Sequence, residues 1–117
     1  MTDKTRIIDV YEKSGTFSSV FRRFTGEKKD YNYSDLSILR QLLSNEKARL
    51  MHVIKVKNPK SIYQLAKFLK RDFKTVREDL KLLQKFGFIE LIEEKDNNRI
   101  THRPVLTATN LSINVRI

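Results

Sequence analysis

Apolar residues in the middle of the chain recur at helical spacing, and polar residues flank each recurring set. The first set is Ile62, Leu65, Ala66 and Leu69, and the second is Val76, Leu80 and Leu83. Ser61 followed by Gln64 predicts a capping box before the first set, and Asp72 is a favourable N-cap before the second. Gly87 stands where the end of a helix favours left-handed backbone. The pattern predicts two helices joined by a short turn, which is a helix-turn-helix.

The chain on either side of these helices carries the signals of further elements. Leucines at helical spacing predict a helix over residues 35–43, and a similar set predicts another over residues 45–56. Ser44 can cap the second of these helices, and the Asn58-Pro59 pair ends it. Beyond Gly87 the sequence predicts a β-hairpin, with strands over residues 88–92 and 100–103 around a polar turn at Asn97 and Asn98.

The two ends of the chain have patterns of their own. Residues 5–11 predict a strand or an arm. Residues 16–26 predict a short amphipathic helix for core or dimer packing, with a stripe of Phe17, Val20, Phe21 and Phe24 and a stop at Gly26. Residues 27–33 predict a loop. From residue 105 to 117, apolar and polar residues alternate as in a half-buried strand, continuous or broken near Asn110.

The pairing partner of this C-terminal strand is left open by the sequence. An apolar strand needs a partner, because an exposed edge invites aggregation. The candidates are residues 5–11 of the same chain, the equivalent strand of a second chain, and the chain's own hairpin. A homodimer held partly by the terminal strands is predicted.

Positive charge is concentrated in the two central helices and the segments beside them. The chain has a formal net charge of +10, and residues 55–85 hold ten cations against three anions, which leaves +7 in this stretch. Excess positive charge attracts polyanions. Because many of these cations share one side of the second helix, nucleic acid is the predicted partner.

The composition also argues against several classes of protein. There is no cysteine, and His52 and His102 are the only histidines, so no metal site or cofactor is predicted. The three glycines form no phosphate-binding loop, and no catalytic triad is suggested, so an enzyme is not expected. No signal peptide or membrane-spanning run is evident. A cytoplasmic, nucleoid-associated protein without a membrane partner is predicted.

Residues 61–92, SIYQLAKFLKRDFKTVREDLKLLQKFGFIELI, resemble the winged helix-turn-helix regulators, especially the small MarR-like regulators of archaea and bacteria. The resemblance covers about residues 35–103, and its most specific part is the run from Arg71 to Lys74. It implies a DNA-binding transcription regulator whose hairpin is the wing. One departure is Lys70, where relatives usually have glycine. A left-handed lysine costs on the order of 1 kcal/mol, so the turn is either strained or differently shaped.

The predicted fold is mainly α with a small β component (α+β), a winged helix-turn-helix with a two-stranded wing and extra terminal strands. It divides into three segments. Residues 1–34 form the N-terminal strand or arm and amphipathic helix, for dimerisation or core. Residues 35–103 form the DNA-binding domain. Residues 104–117 form the C-terminal strand, which extends the wing or serves dimerisation.

Position along the predicted elements assigns roles to the polar residues. Base edges would be contacted from the first half of the second helix, by Arg71, Lys74, Thr75, Arg77 and Glu78. Phosphates would be contacted by Lys55, Lys57, Lys60, Lys67 and Lys81. The wing candidates for a phosphate contact are Lys95, Arg99, His102 and Arg103. Glu78 has an alternative role, because it is spaced to pair with Lys74 and Lys81 on the same helix.

Three functions fit these observations. The first is a sequence-specific regulator of double-stranded DNA, most simply a repressor, that acts as a homodimer. The second is an antitoxin or interaction module that binds a toxin-like partner protein through the terminal segments. The third is a non-specific nucleoid or RNA-binding protein. The motif is expected to expose few aromatic residues that could stack on bases, which argues against binding to single strands.

Overall fold

A computed structural model of the chain describes residues 5–23, 30–33 and 36–117. Its elements in chain order are β1 (Thr5–Lys13), β2 (Thr16–Arg23), β3 (Asp30–Tyr33), α1 (Ser37–Leu42), α2 (Asn45–Lys57), α3 (Ile62–Leu69), α4 (Phe73–Lys85), β4 (Ile89–Asp96), β5 (Arg99–Leu106) and β6 (Asn110–Arg116). The α+β composition is confirmed. The fold is not mainly α, however, because the strands of the described part contain about as many residues as its helices.

The chain divides into two compact units. The sheet unit consists of Met1–Leu42 together with Ala108–Ile117, and the helical unit is Leu43–Thr107. The C-terminal strand therefore belongs with the N-terminal strands rather than with the hairpin. No helix of the described residues is long and apolar enough to cross a membrane.

The helices of the helical unit begin at the predicted caps. The Ser44 hydroxyl accepts from the Lys47 amide at 3.2 Å, before α2. Ser61 Oγ accepts from the Gln64 amide at 3.0 Å, before α3. The return bond of this capping box differs from the expected one, because Gln64 Oε1 accepts from the Lys60 amide at 2.7 Å. Local side-chain bonds thus fix where these helices start.

The last of these helices, α4, begins and ends at predicted residues. Asp72 Oδ2 accepts from the Thr75 amide at 3.1 Å. At the other end Gly87 is left-handed, with φ of 79°. The Gly87 amide donates to Gln84 O at 3.0 Å and the Phe88 amide to Leu83 O at 2.9 Å, which is the two-bond closure of a Schellman motif.

Lys70 closes α3 in the same way that Gly87 closes α4. Its φ is 55°, and its amide donates to Lys67 O at 3.1 Å while the Arg71 amide donates to Ala66 O at 3.1 Å. Of the two alternatives for this turn, the strained one is observed: the geometry is that of a glycine turn, occupied by a lysine. Only three residues separate Leu69 from Phe73.

The predicted hairpin is present and is longer than expected. It consists of β4 and β5, paired antiparallel from Ile89↔Leu106 to Asp96↔Arg99. Asn97 and Asn98 form the turn with φ of 48° and 66°, the two positive values that a two-residue hairpin turn favours. Thr107 joins the base of the hairpin to the end of α4, since its hydroxyl donates to Gly87 O at 2.8 Å.

The sheet unit contains a four-stranded sheet in the order β3-β2-β1-β6. The helix predicted over residues 16–26 is wrong, because Thr16–Arg23 is β2 and pairs antiparallel with β1. Ser14 and Gly15, with φ of 53° and 80°, form a two-residue turn that favours a hairpin. Strand pairing overrides the ambiguous helical spacing. Phe24 and Gly26 lie outside the described residues.

Other terminal predictions meet mixed outcomes. The strand over residues 5–11 is confirmed as β1, and the helix over residues 35–43 is confirmed as the shorter α1, with Asp35 outside the described residues. The loop predicted over residues 27–33 is wrong for Asp30–Tyr33, which pairs with β2 as β3.

The C-terminal strand is broken at residues 107–109, and its second part, β6, pairs parallel with β1 of the same chain. In this register Ile8 lies beside Ile113 and Val10 beside Val115. Pairing of this strand with the chain's own hairpin is therefore wrong for β6. Only Val105 and Leu106 of the predicted strand extend β5.

Candidate nucleic-acid interface

Helix α4 separates apolar from charged residues on opposite faces. Val76, Leu80 and Leu83 are completely buried, and the outward positions Lys74, Arg77, Glu78 and Lys81 are exposed. No carboxylate of the described residues lies within ion-pair distance of Lys74, Arg77 or Lys81. The cations on this face are thus available to an external anion.

Glu78 lies among these cations without pairing to them. The alternative that it joins Lys74 or Lys81 would need an N–O distance of at most 4.0 Å, and no such pair occurs within the described part of the chain. An exposed carboxylate on a basic face can accept from a cytosine amino group and repels phosphates.

Thr75 occupies the third position of α4 and is partly used by the cap. Its amide donates to Asp72 Oδ2 at 3.1 Å, and its hydroxyl donates to the same oxygen at 3.2 Å. The hydroxyl proton is committed to the cap, so Thr75 could meet a base only through its oxygen lone pairs or its methyl group.

Arg71 is turned towards the interior of the helical unit. Its Nη2 lies 2.8 Å from Asp79 Oδ2 and 3.7 Å from Glu46 Oε2. Lys47 Nζ, from α2, lies 3.4 Å from the other Asp79 oxygen. Asp79 is only 15% exposed, and its carboxylate links the turn before α4 to α2. The structure therefore makes Arg71 a residue that holds α4 in position, with its Nη2 already bonded.

The lysines predicted to meet phosphates are all exposed, and they come from three helices and one connection. Lys55 and Lys57 belong to the last turns of α2, Lys60 precedes α3, Lys67 is on α3 and Lys81 is on α4. Lys57 Nζ lies 4.9 Å from the centre of the Phe68 ring, and Lys67 Nζ lies 4.9 Å from that of Tyr63. Such rings hold an ammonium in place without using its donors.

Between the starts of α3 and α4 and the hairpin strand β5 lies a shallow groove of about 170 Å³. Its lining is Ser61, Ile62, Tyr63, Phe73, Ile100, Thr101 and His102. Tyr63 and Ile100 are each 61% exposed and Phe73 is 43% exposed. The groove brings the wing candidate His102 beside the first residue of α4.

This groove corrects one expectation from the sequence. The sequence predicts few exposed aromatic residues on the motif, yet Tyr63 and Phe73 both reach solvent there. The signal was present, because both residues fall outside the buried stripes of their helices. Phe73 places an exposed apolar group at the first position of α4.

The wing candidates are divided by their contacts. Lys95, Arg99 and His102 are exposed. Arg103 instead bonds within the hairpin, since its Nε donates to Glu94 Oε1 at 2.6 Å, across the two strands. Arg103 is thereby the wing candidate least available to a phosphate.

The comparisons with known proteins add a family and no activity. The model of the HVO_A0114 family matches residues 42–113, which is more than half of the chain. No curated protein matches the chain. Within the described ranges, no three His, Asp or Glu side chains gather closely enough to hold a metal ion.

Proposed function

The chain belongs to the HVO_A0114 family, and we propose that it is a sequence-specific, double-stranded DNA-binding regulator of the winged helix-turn-helix class. In this proposal α4 is the recognition helix and the hairpin of β4 and β5 is the wing. Repression is the simplest mode of regulation, since a protein seated on a promoter excludes other proteins from it.

One observation carries the proposal. Helix α4 buries Val76, Leu80 and Leu83 and leaves Lys74, Arg77 and Lys81 exposed and without ion pairs among the described residues. A helix with a basic outer face, held after a tight turn, is the arrangement that enters a major groove. Excess positive charge gathered on one exposed face attracts a polyanion.

The proposed roles follow the geometry of α4. Lys74 and Arg77 are assigned to base edges, where Arg can donate two bonds to guanine O6 and N7. Glu78 is assigned to a cytosine amino group. Thr75 is a weaker candidate, because its proton is used by Asp72. Arg71 is assigned to the support of α4 rather than to a base.

The phosphate contacts are assigned to the exposed lysines around the recognition helix, Lys55, Lys57, Lys60, Lys67 and Lys81. These cations would position the protein without reading sequence. If about five phosphates are neutralised, the slope of log affinity against log salt concentration should be about −4 to −5. Lys95 and Arg99 could add a weaker contact from the wing.

The proposed regulator acts as a homodimer. Two copies related by a twofold axis would present two recognition helices to half-sites about one helical turn apart, and the operator would be a pseudo-palindrome.

The test begins by selecting bound duplexes from a random pool and measuring binding of the full chain to the selected duplex and to a scrambled one. Arg77→Ala should weaken binding to the selected duplex about tenfold to a hundredfold and reduce its preference over the scrambled one. Lys81→Ala should weaken binding to both duplexes equally and make the salt slope shallower by about 1.

Arg40→Ala is the matched control, because Arg40 is an exposed cation of α1 in the sheet unit. It should leave the preference between the two duplexes unchanged. Equal affinity for selected and scrambled DNA in the unaltered protein would favour non-specific nucleoid binding. Unchanged affinity in Lys74→Ala and Arg77→Ala would reject α4 as the recognition helix.

A further inference from the structure

Strand β6 lies at the edge of its sheet and has unusual composition for this chain. In the described part of the sheet unit it pairs on one side only, with β1. Residues 104–115 include all of β6 except Arg116. These twelve residues contain no charged side chain, although 32% of the chain is charged. Proteins usually protect an exposed edge with charges, proline or a bulge. Nearly all of β6 lacks such protection, which indicates that a partner covers its edge.

The apolar face of the sheet continues onto β6 and becomes exposed there. On β1, Ile8 is completely buried and Val10 is 4% exposed. Their neighbours in register on β6, Ile113 and Val115, are 41% and 60% exposed. One further strand beside β6 would pack its side chains against these residues and pair the backbone groups of β6 that, within the described residues, bond to no strand.

Two of the four polar residues on the opposite face of β6 already bond within the chain. Asn114 Nδ2 donates to Asp9 Oδ1 at 3.1 Å, and Asn110 Nδ2 donates to Thr109 Oγ1 at 3.3 Å. The polar face can remain in contact with water, whereas the backbone edge and the exposed apolar side chains would gain from a partner.

We propose that β6 pairs antiparallel with β6 of a second copy of this chain, across a twofold axis at Ile113. This pairing would be the interface of the homodimer in the proposed function. The biological role of the interface rests on that proposed function, whereas the observations that support it come from β6 alone. The two sheets would join into one sheet of eight strands. Because the same surface serves both copies, the assembly closes at two.

The sequence of β6 is complementary to itself in this register. Ile113 is the middle residue of the seven in Asn110–Arg116, so an axis there pairs every residue of the strand. Leu111 would lie opposite Val115 and Ile113 opposite its copy, while Ser112 would lie opposite Asn114. Arg116, the one charged residue of β6, would lie opposite Asn110 and not opposite its own copy. Like charges thus never face each other, and apolar pairs occupy one face.

Cysteine substitution tests the register directly, because the chain has no cysteine and a single introduced one can bond only to a second copy. In Ile113→Cys the two Cα atoms would be about 4.5–5.5 Å apart, inside the range of about 4.4–6.8 Å that a disulfide needs. In Leu111→Cys or Val115→Cys the equivalent Cα atoms would be about 14 Å apart.

The expected result under mild oxidation is a covalent dimer of Ile113→Cys on a non-reducing gel. Leu111→Cys and Val115→Cys alone should remain monomers, and the double variant carrying both should cross-link. A monomeric Ile113→Cys, or equal cross-linking by all three single variants, would overturn the proposal.

A second measurement does not depend on cross-linking. Sedimentation of the unaltered chain should show a dimer, and Ile113→Lys should raise its dissociation constant about tenfold or more, because two ammonium groups would meet at the axis. Phe17→Lys is the matched control: Phe17 is 42% exposed, as Ile113 is 41% exposed, but lies on β2, away from the edge. Equal effects of the two changes, or a monomeric unaltered chain, would contradict the inference.

These results separate the inference from the proposed function. If the Ile113→Cys variant cross-links in the expected pattern but the protein binds no selected duplex, DNA binding is rejected and the interface is kept. If the protein binds its selected duplex while Ile113→Cys stays unlinked, the interface is rejected and DNA binding is kept.

Discussion

The helical unit and the sheet unit are organised by interactions of very different range. In the helical unit, each of three helices begins with a bond between residues three positions apart, at Ser44, Ser61 and Asp72. In the sheet unit, the bond between Asn114 and Asp9 joins residues 105 positions apart. Local bonds are visible in a short window of sequence, and distant pairing is not. Sequence patterns therefore predict the helical unit more reliably than the sheet unit.

The helical unit also has contacts between residues that are distant in sequence, and its ion pairs are among them. Asp79 is held by Arg71, eight residues before it, and by Lys47 from another helix. The Asp79 carboxylate is therefore one place where two helices with locally determined starts depend on a contact between them. Removing it should therefore destabilise the helical unit more than removal of any cap would.

Asp79→Ala should have the largest effect, lowering the free energy of unfolding by about 2–3 kcal/mol. The change would leave the Arg71 guanidinium and the Lys47 ammonium, which are 22% and 11% exposed, without their shared partner. Urea unfolding of the full chain, followed by circular dichroism, measures the loss.

Glu46→Ala is the control for Asp79→Ala, since both carboxylates face Arg71. Glu46 is 73% exposed and 3.7 Å away, and an exposed ion pair contributes little, so its removal should cost less than about 0.5 kcal/mol. Equal losses from the two variants would show that Asp79 does not have the role assigned here.

The sequence predicted the helical unit well for a physical reason. The caps at Ser61 and Asp72, the left-handed Gly87 and the turn at Asn97 and Asn98 each depend on a residue type that local backbone geometry requires. The helix predicted over residues 16–26 failed because its phenylalanine spacing suits either structure. The segment forms β2 because the Ser14-Gly15 turn precedes it and because β1 is available as a partner strand.

The candidate site was predictable only in part. The outward positions of α4 follow from helical periodicity, so Lys74, Arg77 and Lys81 could be placed on one face in advance. The inward turn of Arg71 could not, because the Asp79 carboxylate that it bonds is also bound by Lys47 of α2, and this contact forms only when the two helices have packed. The groove at Tyr63 and Phe73 likewise arises from three elements that are distant in sequence.

Gly15→Ala tests whether the sheet unit also depends on a local signal. Gly15 has φ of 80°, and an added Cβ would meet no atom within 4 Å, so only backbone strain opposes the change. The free energy of unfolding should fall by about 1 kcal/mol. Thermal unfolding of the full chain would measure it.

Ser14→Gly is the counterpart of Gly15→Ala in the same turn. Ser14 has φ of 53°, so glycine would relieve strain there. Because glycine loses more backbone entropy on folding, the net gain in the free energy of unfolding should be only about 0.5 kcal/mol. Changes of the same sign in the two variants would show that the turn does not impose left-handed backbone on both residues.

Lys70→Gly should have an equally small effect, and it tests left-handed backbone at a turn of the helical unit. Lys70 closes α3 in left-handed backbone with φ of 55°, so glycine should raise the free energy of unfolding by about 0.5 kcal/mol. Lys67→Gly is the matched control, since it makes the same replacement and removes the same charge within α3. Glycine inside a helix should instead cost about 1 kcal/mol.

Chemical denaturation measures the change in the free energy of unfolding for both variants. Changes of opposite sign would establish that the turn before the proposed recognition helix carries strain that its local sequence does not relieve. Destabilisation by both variants would mean that contacts of the Lys70 side chain stabilise the turn by more than the left-handed backbone destabilises it. The helical unit would then depend on side-chain contacts even at a turn whose geometry is locally determined.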